Sequence, residues 1–197
     1  RAKAAFTRAH EMDPENVEAM VGCAILELKS LDASSPSFRQ QTEKAIKLIS
    51  MANLVHHSNA MVQNHLANHY FWKWTSVPAG TISVTKDSNI ATSTKPMSLD
   101  PSERIRIGHE FETHVADDDE PDSTDGNTTF QMKDTWKGPS ESGLKLWKKD
   151  YDRVVALAKG AYNSTTVQEI QAESLFMLAR VFHVKDDMEN ACKFYDR

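Results

Sequence analysis

Two histidines four residues apart, His65 and His69, are the first residues in this chain whose type and spacing could do chemistry. On a helix, imidazoles at i and i+4 share a face, the spacing with which metalloprotease helices hold zinc. Leu66 stands where that motif needs its general-base Glu, and no third ligand is signalled nearby. The expectation is two polar helix positions flanking a packing Leu66-Ala67 pair, with no metal and no cofactor. Cys23 sits among small packing residues and Cys192 follows Ala191 in a closing helix, so both read as packing thiols and not as nucleophiles. His56-His57 and His183 fall at expected helix ends, where a cation favours the helix dipole. The sequence carries no Gly-rich phosphate loop, no G-x-S-x-G and no paired-carboxylate pattern. The expectation is a chain that is not an enzyme.

What remains is the chemistry of recognition. The acidic run Asp117, Asp118, Asp119 and Glu120, with Asp122 and Asp125 following, suits either docking of a basic partner or the solvation of a loop. Phe71-Trp72-Lys73-Trp74 and Leu146-Trp147-Lys148-Lys149 bracket the region that holds this run. Their Trp rings read either as partner anchors or, the preferred reading, as covers for the ends of two helices. Asn127-Thr128-Thr129 and Asn163-Ser164-Thr165 match the glycosylation sequon, which carries no meaning in a cytosolic or nuclear chain.

The elements that must position these residues announce themselves by repetition. Ala2, Phe6, Ala9 and Pro14 follow the second-helix half of the tetratricopeptide pattern, with small residues where helices cross and a Pro at the turn into the next helix. The first-helix half follows as Met20, Cys23, Ala24 and Leu28. It recurs as Leu66-Ala67 with Tyr70, and again as Leu178-Ala179 with Phe182. Second-helix halves recur as Ala45, Ile49 and Ala52, then Val154, Ala158 and Ala161, then Ala191 and Tyr195.

The standard repeat is about 34 residues. Ala24 to Ala67 is 43 residues, the excess being absorbed by the loop at 31–36. Ala67 to Ala179 is 112, which places a long insertion at 74–149 between repeats at 1–73 and 150–197. Rich in Ser, Thr, Asp and Pro with little helical periodicity, the insertion reads as a mostly irregular loop. A short helix is expected inside it at 101–114, because Asp100-Pro101-Ser102-Glu103 has the form of a capped helix start followed by Ile105, Phe111 and Val115. The same capping logic at Asp186-Asp187-Met188-Glu189 predicts the last helix. The predicted fold class is therefore all-α: a tetratricopeptide-repeat α-solenoid of antiparallel helix pairs with one long, mostly irregular insertion.

Composition agrees with a helix-leaning chain: 197 residues, 40% hydrophobic, with only 7 Gly and 7 Pro. Two Cys make no disulfide framework, which points to a reducing compartment. No stretch approaches the roughly 18 apolar residues of a bilayer span, and the first residues lack a signal core, so neither membrane insertion nor secretion is expected. Between 75 and 149 there are 9 Lys/Arg against 13 Asp/Glu, a balance of −4 out of a net −5. An acidic chain with no basic stripe excludes duplex nucleic acid as an expected partner. The chain opens on Arg1, inside what reads as half a helix pair, and is expected to be an internal segment of a longer polypeptide.

Three segments go beyond the repeat pattern. They are Asp13-Pro14-Glu15-Asn16-Val17-Glu18-Ala19-Met20-Val21-Gly22-Cys23-Ala24-Ile25-Leu26-Glu27-Leu28, Gln63-Asn64-His65-Leu66-Ala67-Asn68-His69-Tyr70-Phe71 and Gln171-Ala172-Glu173-Ser174-Leu175-Phe176-Met177-Leu178-Ala179-Arg180-Val181-Phe182-His183-Val184. Together and in this order they resemble the tetratricopeptide scaffold subunits, of the Ctr-nine type, in the RNA polymerase II-associated Paf complex. The resemblance covers about 1–73 and 150–197 and departs from the family where Lys73 should lead almost directly into Asp150-Tyr151. It implies a nuclear, non-enzymatic scaffold that holds the other Paf-complex subunits and the RNA polymerase II machinery, in transcription elongation and co-transcriptional histone modification.

A second functional class is a generic tetratricopeptide adaptor or co-chaperone that binds peptide tails. Such adaptors clamp a carboxylate with Lys, Asn and Arg at the fifth and ninth positions of successive first helices. Those positions are Val21 and Ile25, then Asn64 and Asn68, then Phe176 and Arg180. The first pair is apolar, so the clamp is incomplete. Asn64, Asn68, Phe176 and Arg180, with Asp117, Asp118, Asp119 and Glu120, are the candidate partner-binding residues.

Overall fold

The computed structural model describes residues 1–32, 34–101, 103–116 and 127–197. Its chain divides into two compact units, residues 1–71 with 151–197, and residues 72–150.

The first unit is helical: α1 (Ala2–Met12), α2 (Val17–Lys29), α3 (Phe38–Val55), α4 (Ala60–Trp72), α5 (Tyr151–Asn163), α6 (Gln168–Val184) and α7 (Met188–Tyr195). Local chemistry starts these helices where the sequence says it should. The Asn16 side chain accepts from the Ala19 N–H at 2.9 Å at the start of α2, and Asp187 accepts from the Asn190 N–H at 3.1 Å at the start of α7. The helices bury narrow alanine-rich stripes. Met20, Val21 and Ala24 of α2 meet Ala45, Ile49 and Ala52 of α3 and Val62 and Leu66 of α4 in one cluster. The other face of α4, with Ala67 and Phe71, joins Tyr151, Val154 and Ala158 of α5 and Met177, Leu178 and Val181 of α6 in a second. Ala67 and Ala179 are both fully buried.

The second unit corrects the all-α expectation. Of the described residues 51% are helical and 18% strand, and the strands form two four-stranded antiparallel sheets where an irregular insertion was expected. They are β1 (Thr75–Ser76), β2 (Ile82–Val84), β3 (Ile90–Met97), β4 (Arg104–Ile107), β5 (Phe111–His114), β6 (Asn127–Gln131), β7 (Glu141–Leu144) and β8 (Leu146–Lys148). One sheet has the order β1-β8-β4-β5 and the other β6-β3-β2-β7. Ile105, Ile107 and Leu146 from the first and Ile82, Val84, Ala91 and Phe130 from the second share a single core with Met132, just past β6. Trp136 closes it, with its ring edge-on to Phe111 at 5.0 Å and its Nε1–H donating to the Pro139 carbonyl at 2.8 Å. Several of the Ser and Thr that suggested a loop are outward positions of strands, as at Thr92 and Thr94 beside the buried Ala91 and Ser93.

The helix expected at 101–114 is a β-hairpin. Its capping signature exists: the Asp100 N–H donates to the Glu103 carboxylate at 3.2 Å, and the Glu103 N–H to the Asp100 carbonyl at 3.1 Å. The turn does not propagate, because Ile105 and Ile107 alternate with Arg104 and Arg106 and only a strand puts both isoleucines in the core. Gly108 then takes a φ of 65° at the head of a three-residue loop into β5, a conformation an L side chain resists. Asp117, Asp118, Asp119 and Glu120 lie outside the described residues, so the docking and solvation readings of that run have no geometry here.

Candidate functional site

Of the candidate clamp residues, the structure separates one from the rest. Asn64 is buried between α4 and α6, where its Nδ2 donates to the Ile170 carbonyl at 3.0 Å and its Oδ1 accepts from the Ser174 hydroxyl at 2.9 Å. Ser174, itself fully buried, also donates within reach of the Ile170 carbonyl at 2.9 Å. This polar triad joins residues more than a hundred positions apart and leaves Asn64 committed to the helix pair, not to a ligand.

Asn68, Phe176 and Arg180 do come together. The Arg180 guanidinium lies 4.0 Å from the Phe71 ring centre and 5.5 Å from that of Phe176, and its Nη1 approaches the Asn68 Oδ1 at 3.4 Å. Phe176 is half exposed and 6.1 Å from the ring of Tyr195, whose hydroxyl is 3.5 Å from His183 Nδ1. The result is an exposed strip of amide, guanidinium, imidazole and two aromatic rings, suited to side-chain recognition. His183 was read as a helix-end residue; its place on the strip was legible in its seven-residue offset from Phe176, two helical turns along one face.

Val21 and Ile25, the apolar pair at the clamp positions, line a cavity of about 440 Å³ with Phe6 of α1, Leu26 of α2 and Met61 of α4; Glu18 is its one charged wall. Gly22 makes the floor possible, since a Cβ there would stand 2.5 Å from the Phe6 ring.

The Trp-Lys segments take a role that neither reading anticipated. On one face of the sheet β1-β8-β4-β5, the Arg106 guanidinium lies 5.0 Å from the Trp74 ring centre and 5.5 Å from that of Trp147. Lys149 Nζ sits 4.3 Å from the Trp74 ring centre and donates to the Trp72 carbonyl at 2.8 Å. Arg104 on the same strand pairs with Glu112 at 2.7 Å. Burial and then the neighbouring Arg104 hold Lys149 well below the usual lysine value, at about 8. Arg104 and Arg106 were absent from the sequence reading, although the Arg-Ile-Arg-Ile alternation is a strand signal.

His65 is half-buried, and desolvation lowers its pKa against a weaker pull from Glu173. His69 instead stacks edge-on to Tyr70 at 5.2 Å. Among the described residues no group of three or more His, Cys, Asp or Glu is placed to hold a metal ion. Cys23 is partly buried, as a packing thiol is, but Cys192 is exposed on α7, which corrects the packing reading there: Ala191 turns the stripe inward and its neighbour necessarily faces away.

No protein-family profile matches the chain, and no solved structure matches it. A stretch of 73 residues, 37% of the chain, is 36% identical to the RNA polymerase-associated protein CTR9 of Caenorhabditis elegans. The match spans 6% of that protein's length. Part of the chain is thus similar to part of an RNA polymerase-associated protein. No helix among the described residues is long and apolar enough to cross a membrane.

Proposed function

We propose that this chain is a segment of a nuclear, non-enzymatic scaffold of the Ctr-nine type, which holds Paf-complex subunits together during RNA polymerase II elongation and co-transcriptional histone modification. The observation that carries the reading is the similarity to CTR9 at 36% identity over 73 residues. The helical unit supports it: neighbouring helices pack through buried alanines and leave a recognition strip of Asn68, Phe176, Arg180 and Tyr195 on their surface. The carboxylate-clamp alternative loses support, because Asn64 spends its amide on Ile170 and Ser174 and the pair Val21 and Ile25 offers no donor. Purification of the tagged full-length protein from nuclear extract, followed by mass spectrometry, tests the scaffold reading. Paf-complex subunits and RNA polymerase II are the expected companions. Recovery of chaperones without any elongation component would overturn it.

A further inference from the structure

Strand register lines up charged and aromatic side chains on the outward face of the sheet β1-β8-β4-β5. Ser76, Trp147, Arg106 and Glu112 stand opposite one another across its four strands, and Arg104 stands opposite His114 in the next row. Ile105 and Ile107 fill the core, so Arg104 and Arg106 face away from it. Three cations gather around Trp74, with Arg104 5.8 Å, Arg106 5.0 Å and Lys149 4.3 Å from its ring centre, and Trp147 lies beside Arg106 at 5.5 Å. The carboxylate of the row, Glu112, is taken by Arg104 at 2.7 Å, and Glu103 is taken by Lys148 at 2.8 Å. The Arg106 Nε is buried and has no hydrogen-bond partner. Between 75 and 149 the chain holds 9 Lys/Arg against 13 Asp/Glu, so this cluster reverses the sign of the unit that carries it.

We propose that this face docks an acidic partner peptide, one carboxylate meeting the outer nitrogens of Arg106, a second meeting Lys149, and an apolar neighbour lying along Trp147. The rings hold the guanidinium in place, so little side-chain freedom is lost when an anion arrives, and its planar fork matches a carboxylate. Bases of a single-stranded nucleic acid need open ring faces to stack on, whereas cations lie over Trp74, and Glu112 interrupts the row that a phosphate backbone would follow. This goes beyond the scaffold reading and does not rest on it.

The indole N–H resonances of Trp74 and Trp147 in the isotope-labelled full chain test it, during titration with capped Glu-Leu-Glu-Leu-Glu, capped Gln-Leu-Gln-Leu-Gln and octathymidylate. The acidic peptide is expected to shift both indoles and to bind at least about fivefold more tightly than the Gln peptide. Arg106→Lys, which keeps the charge and loses the fork, should weaken the acidic peptide by about threefold or more. Loss of binding also follows from a damaged sheet, so Glu112→Gln supplies a second reading. Removing the competing carboxylate should tighten the acidic peptide by about twofold or more, a gain that misfolding does not produce. Equal binding of the Glu and Gln peptides overturns the proposal, as does an affinity left unchanged by Arg106→Lys, or left unchanged or weakened by Glu112→Gln. Shifts confined to the indoles of Trp72 or Trp136, or no shift at all, overturn it too. Tighter binding of octathymidylate than of the acidic peptide would assign the face to single-stranded nucleic acid instead.

Discussion

The helical and β units build their cores from different material. Of the buried hydrophobic side chains in the helical unit, ten are alanine: residues 19, 24, 45, 52, 60, 67, 158, 161, 179 and 191. Among the described residues of the β unit only Ala79 and Ala91 are, and the interior is filled by residues such as Ile82, Ile105, Ile107, Met132, Leu146 and Trp136. Helices that cross on alanines approach closely and have no room for more atoms. Sheets that face each other leave a layer that large side chains must fill. The helical core is therefore sensitive to enlargement and the β core to truncation. Trp74, Trp136 and Trp147 lie in the β unit, and Trp72, the last residue of α4, is exposed, so changes in Trp emission report mainly the β unit while the far-ultraviolet helix signal reports the other.

Deleting one side of the comparison has the largest effect. β1 and β8 pair with Thr75 opposite Lys148, so the strands that enter and leave the β unit are neighbours. Replacing 76–148 with a short Gly/Ser linker should abolish the strand signal and leave the helix signal in place, because closing a loop costs little more as it lengthens. Loss of helix in that variant would show that the two units fold as one. Next, Ile105→Ala empties a fully buried position in the β core and should cost about 2–5 kcal/mol, seen as an earlier transition by Trp emission. A coincident shift of the helix transition would erase the distinction between the units.

Enlargement should act on the other side. Ala67→Leu or Ala179→Leu is expected to cost about 1–3 kcal/mol by overpacking, read from the helix signal on denaturant melts. Wild-type stability in both would mean that these alanines do not mark helix crossings. At the buried triad, Asn64→Ala or Ser174→Ala strands a polar partner and should cost about 1–3 kcal/mol, with the double variant costing less than the sum of the singles. Strict additivity would dissolve the triad as a unit.

The smallest effect is a pH dependence confined to the β unit. Lys149 has a folded pKa of about 8 against an ordinary 10.5, so between these values the unfolded chain binds more protons than the folded one. Stability of the β unit should therefore rise with pH through that window, and the Lys149→Met variant should lack the rise. An unchanged slope in Trp-detected melts of the variant would place its cause elsewhere.

The helices were legible because their signal is local and repeated. Ala24, Ala67 and Ala179 fall at one phase, and Asn16 and Asp187 cap where a polar side chain precedes an apolar period. The strands were not, because each is short: β2 offers only Ile82 and Val84 inward, and β4 only Ile105 and Ile107. Two alternations cannot be told from chance in a Ser/Thr-rich stretch, and at Asp100 a true local turn signal pointed to the wrong continuation. The candidate site divides in the same way. The proximity of Asn68, Phe176 and Arg180 follows from repeat phase, whereas the commitment of Asn64 to Ser174 and the stacking of Arg106 on two Trp rings do not.

By itself, then, the sequence determined the helices, their alanine stripes and the absence of a long apolar span among the described residues, since each depends on residues within a few turns of one another. Tertiary structure alone decided that 72–150 is a folded β unit, that Asn64 is structural, and that Arg106 lies against both Trp74 and Trp147. Those outcomes depend on partners 32 to 110 residues apart, whose meeting is fixed by which side chains fill a shared core and not by any spacing along the chain.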